Sequence, residues 1–394
     1  ANLTRDGNRL LTSSGDGTAV LWDVSSGQRI YTFSHQGRVL SAVFSPDESQ
    51  ELTASDDKKA RLWSTQNGMP IGETIRHTEP VESAQFSPDG EWVVTASNDG
   101  HSRLTRVKTG EVREVVGVEK DVRWAWFSPD GQRVVTGAEE NVARLWDSMT
   151  GQRIGEPMSH PYWVIHAEFS PDSQRVATAC KDGALRIWNA ATGHLLVGPL
   201  RHESGLLMVR FSPDGRRVAT ASRDSTGRLW FTDSGRPAAE PLRHKFELEG
   251  ISFSPDGLRV ATSSSDSTSR IWDTATGYPV SEPLRQKAGV RSVKFSTDGL
   301  RLVTAGLVDD PAALIWDVPA PPLPIPEWLP DLVEALAGER IQESGLSELV
   351  QIPAAQSLVR RTESGQGVEF YRHWARWFFT DSGVGDREPF TDKH

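Results

Sequence analysis

The sequence predicts an all-β fold built from repeated small sheets, and three observations carry that prediction. One phrase recurs eight times: Phe-Ser-Pro-Asp-Gly, then Arg-Val-Ala-Thr-Ala-Ser, then an Asp turn and Arg-Leu-Trp-Asp. Its first residue falls at Leu3, Phe44, Phe86, Phe127, Phe169, Phe211, Phe253 and Phe295, a spacing of 41 or 42 residues. Such a period marks stacked units rather than one irregular core. Each unit also divides into short strand-like stretches bounded by turn residues, for example Leu207 to Phe211, Arg217 to Ser222 and Gly227 to Trp230, with a fourth around Pro237 to Leu242. Finally, strand interiors such as Val218-Ala219-Thr220-Ala221 are apolar or small on both faces. That pattern suits four-stranded sheets packed face to face around an axis, the blades of a β-propeller.

The turns have a local mechanism. In Ser212-Pro213-Asp214-Gly215, Pro presets φ for a type I turn, Asp bonds the backbone nearby and Gly closes the corner. Composition agrees with a globular protein. The 394 residues supply ample chain for a large core. A net charge of −10 gives no general basic footprint, which argues against unspecific nucleic-acid binding. The lone Cys180 excludes an internal disulfide, fits a reducing compartment and reads as a small core residue of a blade strand. No apolar run reaches the roughly eighteen residues of a membrane span, so no membrane contact is expected.

The Trp-Asp endings at Trp22-Asp23, Trp146-Asp147, Trp272-Asp273 and Trp316-Asp317 resemble the signature of the WD-repeat (WD40) family, with variants at Trp63-Ser64, Trp188-Asn189 and Trp230-Phe231. Prolyl-peptidase-type propellers share the Ser-Pro-Asp-Gly turns but lack the paired Trp-Asp. The resemblance implies a buried hydrogen-bonded set in each blade: a His before the first strand, a Ser or Thr on the second, an Asp in the next turn and the Trp. Matching offsets supply His35, Ser55, Asp57 and Trp63; His202, Ser222, Asp224 and Trp230; and His244, Ser264, Asp266 and Trp272. A His, Ser and Asp together suggest a catalytic triad, but an enzyme needs one activated nucleophile and this set is repeated. Satisfying buried polar groups, each worth roughly 1–3 kcal/mol if orphaned, is the structural reading. Elsewhere the set decays. Thr105 replaces the Trp behind His77, Ser97 and Asp99; Cys180 stands between His160 and Asp182; Gln286 replaces the last His. Val118, Ala138 and Glu140 occupy the offsets of the unit at Phe127.

Eight units favour an eight-bladed ring, with seven blades plus one unit of a second propeller as the runner-up. The propeller is assigned to residues 1–317. Its first repeat opens part-way through a strand at Ala1-Asn2-Leu3, from which a longer polypeptide with an upstream domain is expected. The eighth unit shows no fourth strand, so closure must come from elsewhere. Residues 318–330, Val318 to Pro330, are rich in Pro and read as an extended linker. Residues 331–394 read as a small helical C-terminal extension, with helical stretches from Pro330 to Leu336, Ala354 to Arg361 and Val368 to Phe379. In the third, Tyr371, Trp374, Trp377 and Phe378 form an aromatic stripe, facing either the propeller or a neighbouring domain. The segment from Phe370 to Phe379 also resembles the extension after WD repeats in large multidomain bacterial proteins.

In this family the functional surface is usually the top rim. Carried over one position at a time, the residues opening each first strand are Arg38 and Leu40, Pro80 and Glu82, Asp121 and Arg123, Trp163 and Ile165, Leu207, Glu247 and Glu249, and Arg291. The residues before each turn Asp are Asp56, Asn98, Glu139, Lys181, Arg223 and Ser265. Trp163, Ile165 and Leu207 would form an apolar island rimmed by Lys181, Arg223, Glu247 and Glu249, the composition of an interface hot spot. The alternative is that Trp163 folds inward as a core residue. No phosphate-binding loop, zinc motif or nucleophile elbow occurs, and the residual His101, His166, His194 and His373 lack ligand spacing. The expectation is a cytoplasmic, non-enzymatic scaffold without cofactor, binding a protein or peptide partner and belonging to a larger bacterial signalling or regulatory protein. The second expectation is an enzyme, small-ligand binder or metal binder using the central channel.

Overall fold

The structure, a computed structural model, describes residues 1–117, 121–138, 141–306, 312–318, 339–341 and 347–349. Residues 1–318 form one unit and 319–394 another. The first is an eight-bladed, all-β propeller whose blades cover residues 2–34, 39–76, 81–117, 122–159, 164–201, 206–243, 248–285 and 290–317. Seven blades are four-stranded antiparallel sheets with strands in chain order, and the eighth has three strands among the described residues. Eight blades rather than seven therefore make the ring. In the second unit Glu339–Ile341 pairs with Ser347–Leu349 as a hairpin, where the sequence reading places no element. The expected helices, the aromatic stripe and the linker from residue 319 lie outside the described residues. Val318, read as linker, is buried against Leu302 and Val293, and its amide bonds the Leu300 carbonyl.

Blade six shows how sequence becomes sheet. Leu206–Phe211, Arg217–Ser222, Thr226–Phe231 and Leu242–Arg243 are its strands. In the corner between the first two, the Ser212 hydroxyl donates to Asp214 and accepts from the Arg217 amide. Gly215 takes φ +67°, where a Cβ would be strained. Val218, Ala219, Thr220, Ala221 and Ser222 are all buried, because both sheet faces meet neighbouring blades. Apolar clusters join each consecutive pair of blades, seven junctions in all.

A polar latch adds to these junctions. The Arg opening the second strand reaches into the next blade: Arg133 to Ser173 O, Arg175 to Gly215 O, Arg217 to Thr274 Oγ1 and Arg259 to Gly299 O. Arg301 repeats the reach across the closing seam, donating to Gly7 O at 3.0 Å, while Lys294 donates to Asn2 Oδ1 and Thr297 to Arg5 O. The ring thus closes by blade eight packing on blade one. Gln50 and Trp92 stand at the latch position in blades two and three.

The buried hydrogen-bonded sets differ from expectation in one member. His35 Nε2 and Trp63 Nε1 meet on Thr53 Oγ1, both at 2.8 Å, while His35 Nδ1 donates to Asp57. Thr220 holds the same place between His202 and Trp230, and Thr262 between His244 and Trp272. Ser55, Ser222 and Ser264 instead close the turn, each accepting the amide of the turn Asp and donating to a loop carbonyl. The reason is the pleat: side chains two residues apart share a face, but the Thr stands one same-face step from the residue paired with the Trp (Glu51, Val218 or Val260) and the Ser two steps. The relay Trp–Thr–His–Asp needs a neutral imidazole carrying its proton on Nδ1. Consistently, burial lowers the pKa of His77 to about 4.

Candidate functional site

The first strand of each blade from two to eight carries a register shift near its start, leaving one residue unpaired: Leu40, Glu82, Arg123, Ile165, Leu207, Glu249 or Arg291. A bulge re-aims the side chain it carries, so one rim of the ring presents these residues. The residue before the turn Asp is brought beside them by its amide: Asp56 bonds Arg38 O, Asn98 Pro80 O, Lys181 Trp163 O, Arg223 Gly205 O and Ser265 Glu247 O. Side chains pair accordingly. Arg38 contacts Asp56 at 2.8 Å, Asn98 contacts Glu82 at 2.8 Å, Ser265 contacts Glu249 at 2.9 Å, and Arg223 lies 3.5 Å from Glu247.

Between blades four, five and six lies a cavity of about 400 Å³ open to solvent. Trp163, Ile165 and Leu207 line it with Arg123, Lys181 and Arg223. Trp163 is 41% exposed, which rules out the inward-folded alternative, and Lys181 Nζ lies 4.8 Å from its ring centre. Glu247 borders the cavity through Arg223, whereas Arg38, Glu249 and Arg291 are not part of its lining. No carboxylate lines it among the described residues. Glu139 lies outside them. Sequence reasoning missed Trp124, a wall of the cavity, although its signal was present. Trp124 stands where other blades have Ser41 or Ser83, and Gly137 faces it where they have Ala54 or Ala96. A Cβ on Gly137 would fall inside the indole, so the exchange of Ala for Gly makes room for it.

Blade five is modified by one residue. In blades two, three, six and seven the amide after the His donates to the turn Asp: Gln36 to Asp57, Thr78 to Asp99, Glu203 to Asp224 and Lys245 to Asp266. Blade five has Pro161 there, which has no N–H to give. Asp182 pairs instead with Arg186 at 2.8 Å, and His160 Nδ1 donates to Met158 O. The loop bearing exposed Tyr162 and Trp163 is then held by Lys181 N and by the Cys180 thiol, which donates to Tyr162 O. Burial raises that thiol to about 11, so it is not a nucleophile at neutral pH.

Further down the first strands, Arg210 contacts Glu168 at 3.3 Å and His166 at 3.1 Å, and Glu168 also accepts the Phe211 amide. Burial holds His166 neutral and raises the Glu168 carboxyl. Within it Arg210 is paired to both, while His166 Nδ1 has no hydrogen-bond partner among the described residues. Among the described residues no three His, Cys, Asp or Glu side chains are grouped to hold a metal ion, and no helix is long and apolar enough to cross a membrane.

The family model described as the IFT122 first beta-propeller matches residues 2–240, more than half of the chain, and that of the WD domain, G-beta repeat, matches residues 240–273. WD repeat-containing protein 1 of Gallus gallus is 39% identical over 62 residues, 15% of this chain and 10% of that protein. Guanine nucleotide-binding protein subunit beta-5b of Danio rerio is 45% identical over 62 residues, 15% of this chain and 16% of that protein. The chain's match spans only these small fractions of its relatives' lengths. Among solved structures, the computationally designed Ika8 protein aligns with a TM-score of 0.71 over 79% of this chain and 93% of that one, at 22% identity, a likeness of fold alone. With its eight blades, its repeated Trp-Asp strand ends and these matches, the chain belongs to the WD-repeat β-propeller family.

Proposed function

We propose that this propeller is a scaffold that binds a protein partner on the bulge-bearing rim, centred on the cavity between blades four, five and six. Propellers of this family are typically protein-interaction scaffolds and generally non-enzymatic. The observation that carries the placement is Trp163. An indole at a rim position, 41% exposed and beside a cavity, is an anchor awaiting a contact rather than a core residue. The surrounding framework is rigid, so the rim is displayed at low ordering cost.

The setting extends the same proposal. The resemblance of residues 370–379 to the tail of multidomain bacterial proteins supports a place in a larger bacterial signalling or regulatory protein, although the relatives named above are eukaryotic. The single buried thiol supports a reducing, cytoplasmic location. Affinity capture from native lysate tests the reading, using the chain beside its Trp163→Ala, Leu207→Ala form. A protein retained only by the unmodified chain supports the rim site; identical captures refute it.

A further inference from the structure

We infer that the pocket between blades three and four, at the opposite end of the first strands from the bulged rim, takes an arginine side chain presented by a partner protein. The molecule itself shows what that place is built to hold. At other junctions the Arg opening a second strand crosses to the next blade and ends in a receptor with three polar parts. The first is the carbonyl of the residue closing the next corner, met by Arg133, Arg175 and Arg259. The second is a hydroxyl just past that blade's third strand, Thr232 for Arg175 and Thr274 for Arg217. The third is the Asp of the Arg's own corner, at 3.5 Å for Arg133, 3.9 Å for Arg175 and 3.7 Å for Arg259. Arg259 also lies over Phe295 of the next blade, 5.8 Å from the ring centre.

Blade three keeps this receptor and lacks its Arg. Trp92 stands at the latch position, and beside it lies a pocket of about 220 Å³ whose lining includes Asp89, Phe127, Gly131 and Ser148, the counterparts of those receptor groups. Ser148 Oγ donates to Gly131 O as Thr232 does to Gly215 O, so the acceptors are arranged as Arg175 meets them at the junction of blades five and six. Asp89 accepts from the Ser87 hydroxyl and the Glu91 amide through Oδ1 alone, and it has no ion pair among the described residues. Two cations of the chain line the same pocket, and both are engaged. Arg113 is held by Glu111 at 2.9 Å and donates to Met149 O, while Arg106 lies 3.5 Å from Glu91. Each has its own carboxylate, which leaves the Asp89 charge for an incoming group. A guanidinium is specified rather than an ammonium: its planar fork reaches a carbonyl, a hydroxyl and a carboxylate together and stacks on a ring such as Phe127, whereas an ammonium offers a compact point charge.

The test titrates the full chain, labelled with nitrogen-15 at tryptophan, with short capped Gly-Ser peptides carrying one central Arg, Lys or citrulline. Binding is followed by calorimetry and at the Trp92 indole N–H, assigned by its loss in Trp92→Phe. The expected result is a saturable shift with the Arg peptide and affinity about 10-fold weaker for Lys and for citrulline, which keeps the shape but not the charge. Asp89→Asn, at an exposed position, should weaken the Arg peptide about 10-fold or more. Trp92→Arg rebuilds the latch within the chain and should abolish peptide binding in calorimetry. Circular dichroism melts report folding of each variant, and Asp89→Asn alone decides the matter should Trp92→Arg fail to fold. Equal binding of Arg, Lys and citrulline peptides, Arg-peptide binding unchanged by Asp89→Asn, or no saturable binding at all would overturn the inference. None of these outcomes touches the rim reading, whose Trp163 lies at the other end of the strands.

Discussion

Glu51 should destabilise this propeller, and replacing it should stabilise the fold in a pH-dependent way. It lies in Gln50–Ser55, the second strand of blade two, at the position where the other blades carry Val93, Val134, Val176, Val218, Val260 or Leu302. It is 0% exposed, and neither carboxyl oxygen has a hydrogen-bond partner. Burial raises its pKa from 4.5 to about 8, against a weaker pull from Arg9. The folded state therefore holds a proton that the unfolded chain has released. With a raised carboxyl pKa, stability is fullest below 4.5, falls as pH rises through the window from 4.5 to 8, and levels off above it. At pH 7 the penalty is roughly 3 kcal/mol, from about 2.5 units at 1.36 kcal/mol each. Glu51→Val should accordingly raise the urea midpoint, with a gain roughly 3 kcal/mol larger at pH 8 than at pH 5. Glu51→Gln separates charge from shape: it should remove the loss of stability between pH 4.5 and 8 that Glu51 causes while keeping an unbonded polar group. A Val variant no more stable than the parent at pH 8, or a gain equal at both pH values, would refute the reasoning.

Other outcomes follow from the same geometry. Thr220→Val strands the Trp230 N–H and the His202 ring nitrogen and should cost about 2–4 kcal/mol, more than Ser222→Ala; the reverse order in urea unfolding would restore the Ser to the buried set. His77 is held neutral by burial, so its contribution is complete above pH 6.5 and is lost as pH falls toward 4; in a Glu51→Gln background, His77→Gln should flatten the decline in unfolding midpoint across that window. Arg301→Ala removes the latch of the closing seam and should accelerate amide exchange in strands Arg9–Ser13 and Val290–Phe295 before that of blade six; equal acceleration everywhere would show that the seam is not a separate opening unit. Blades three and four, which lack the full set, should show lower protection than blades six and seven, and uniform protection across the ring would count against it.

The fold was legible because the chain states it eight times. A period of 41 or 42 residues, a Pro-Asp-Gly corner and a Trp-terminated strand each report local geometry, and their repetition removes the ambiguity any single copy has. The rim was legible for the same reason. Its positions came from the family resemblance, carried over one at a time onto fixed framework offsets, and Arg123, Trp163, Ile165, Lys181, Leu207 and Arg223 do share one cavity. What the sequence could not resolve was which of two hydroxyls two residues apart joins the relay, since both fit the spacing. Nor could it show how the ring closes, because the Arg301 reach to Gly7 joins residues 294 apart, whereas Arg133, Arg175 and Arg259 reach only 40 residues on.

Departures from the repeat also occur in other blades, at Glu51, Trp92, Thr105 and Gln286, but those beside the rim cavity are grouped. Gly137 with Trp124, Pro161, Cys180 and the loss of His and Asp offsets at Val118 and Glu140 all fall in blades four and five. Each disturbs the buried relay or its neighbourhood, and those in blade five do so by physical necessity: a Pro amide has no proton for Asp182, so the carboxylate turns to Arg186 and His160 to its own strand. Random decay would weaken the relay without building anything in its place. Here the same stretch gains a bulky indole wall, an exposed Tyr162 and Trp163, and a cation over the Trp163 ring. A ring of eight nearly equivalent blades can give up relay hydrogen bonds in some of them because the junctions keep their apolar clusters. The cavity stands where blades four and five depart from the repeat, between junctions whose apolar clusters are kept.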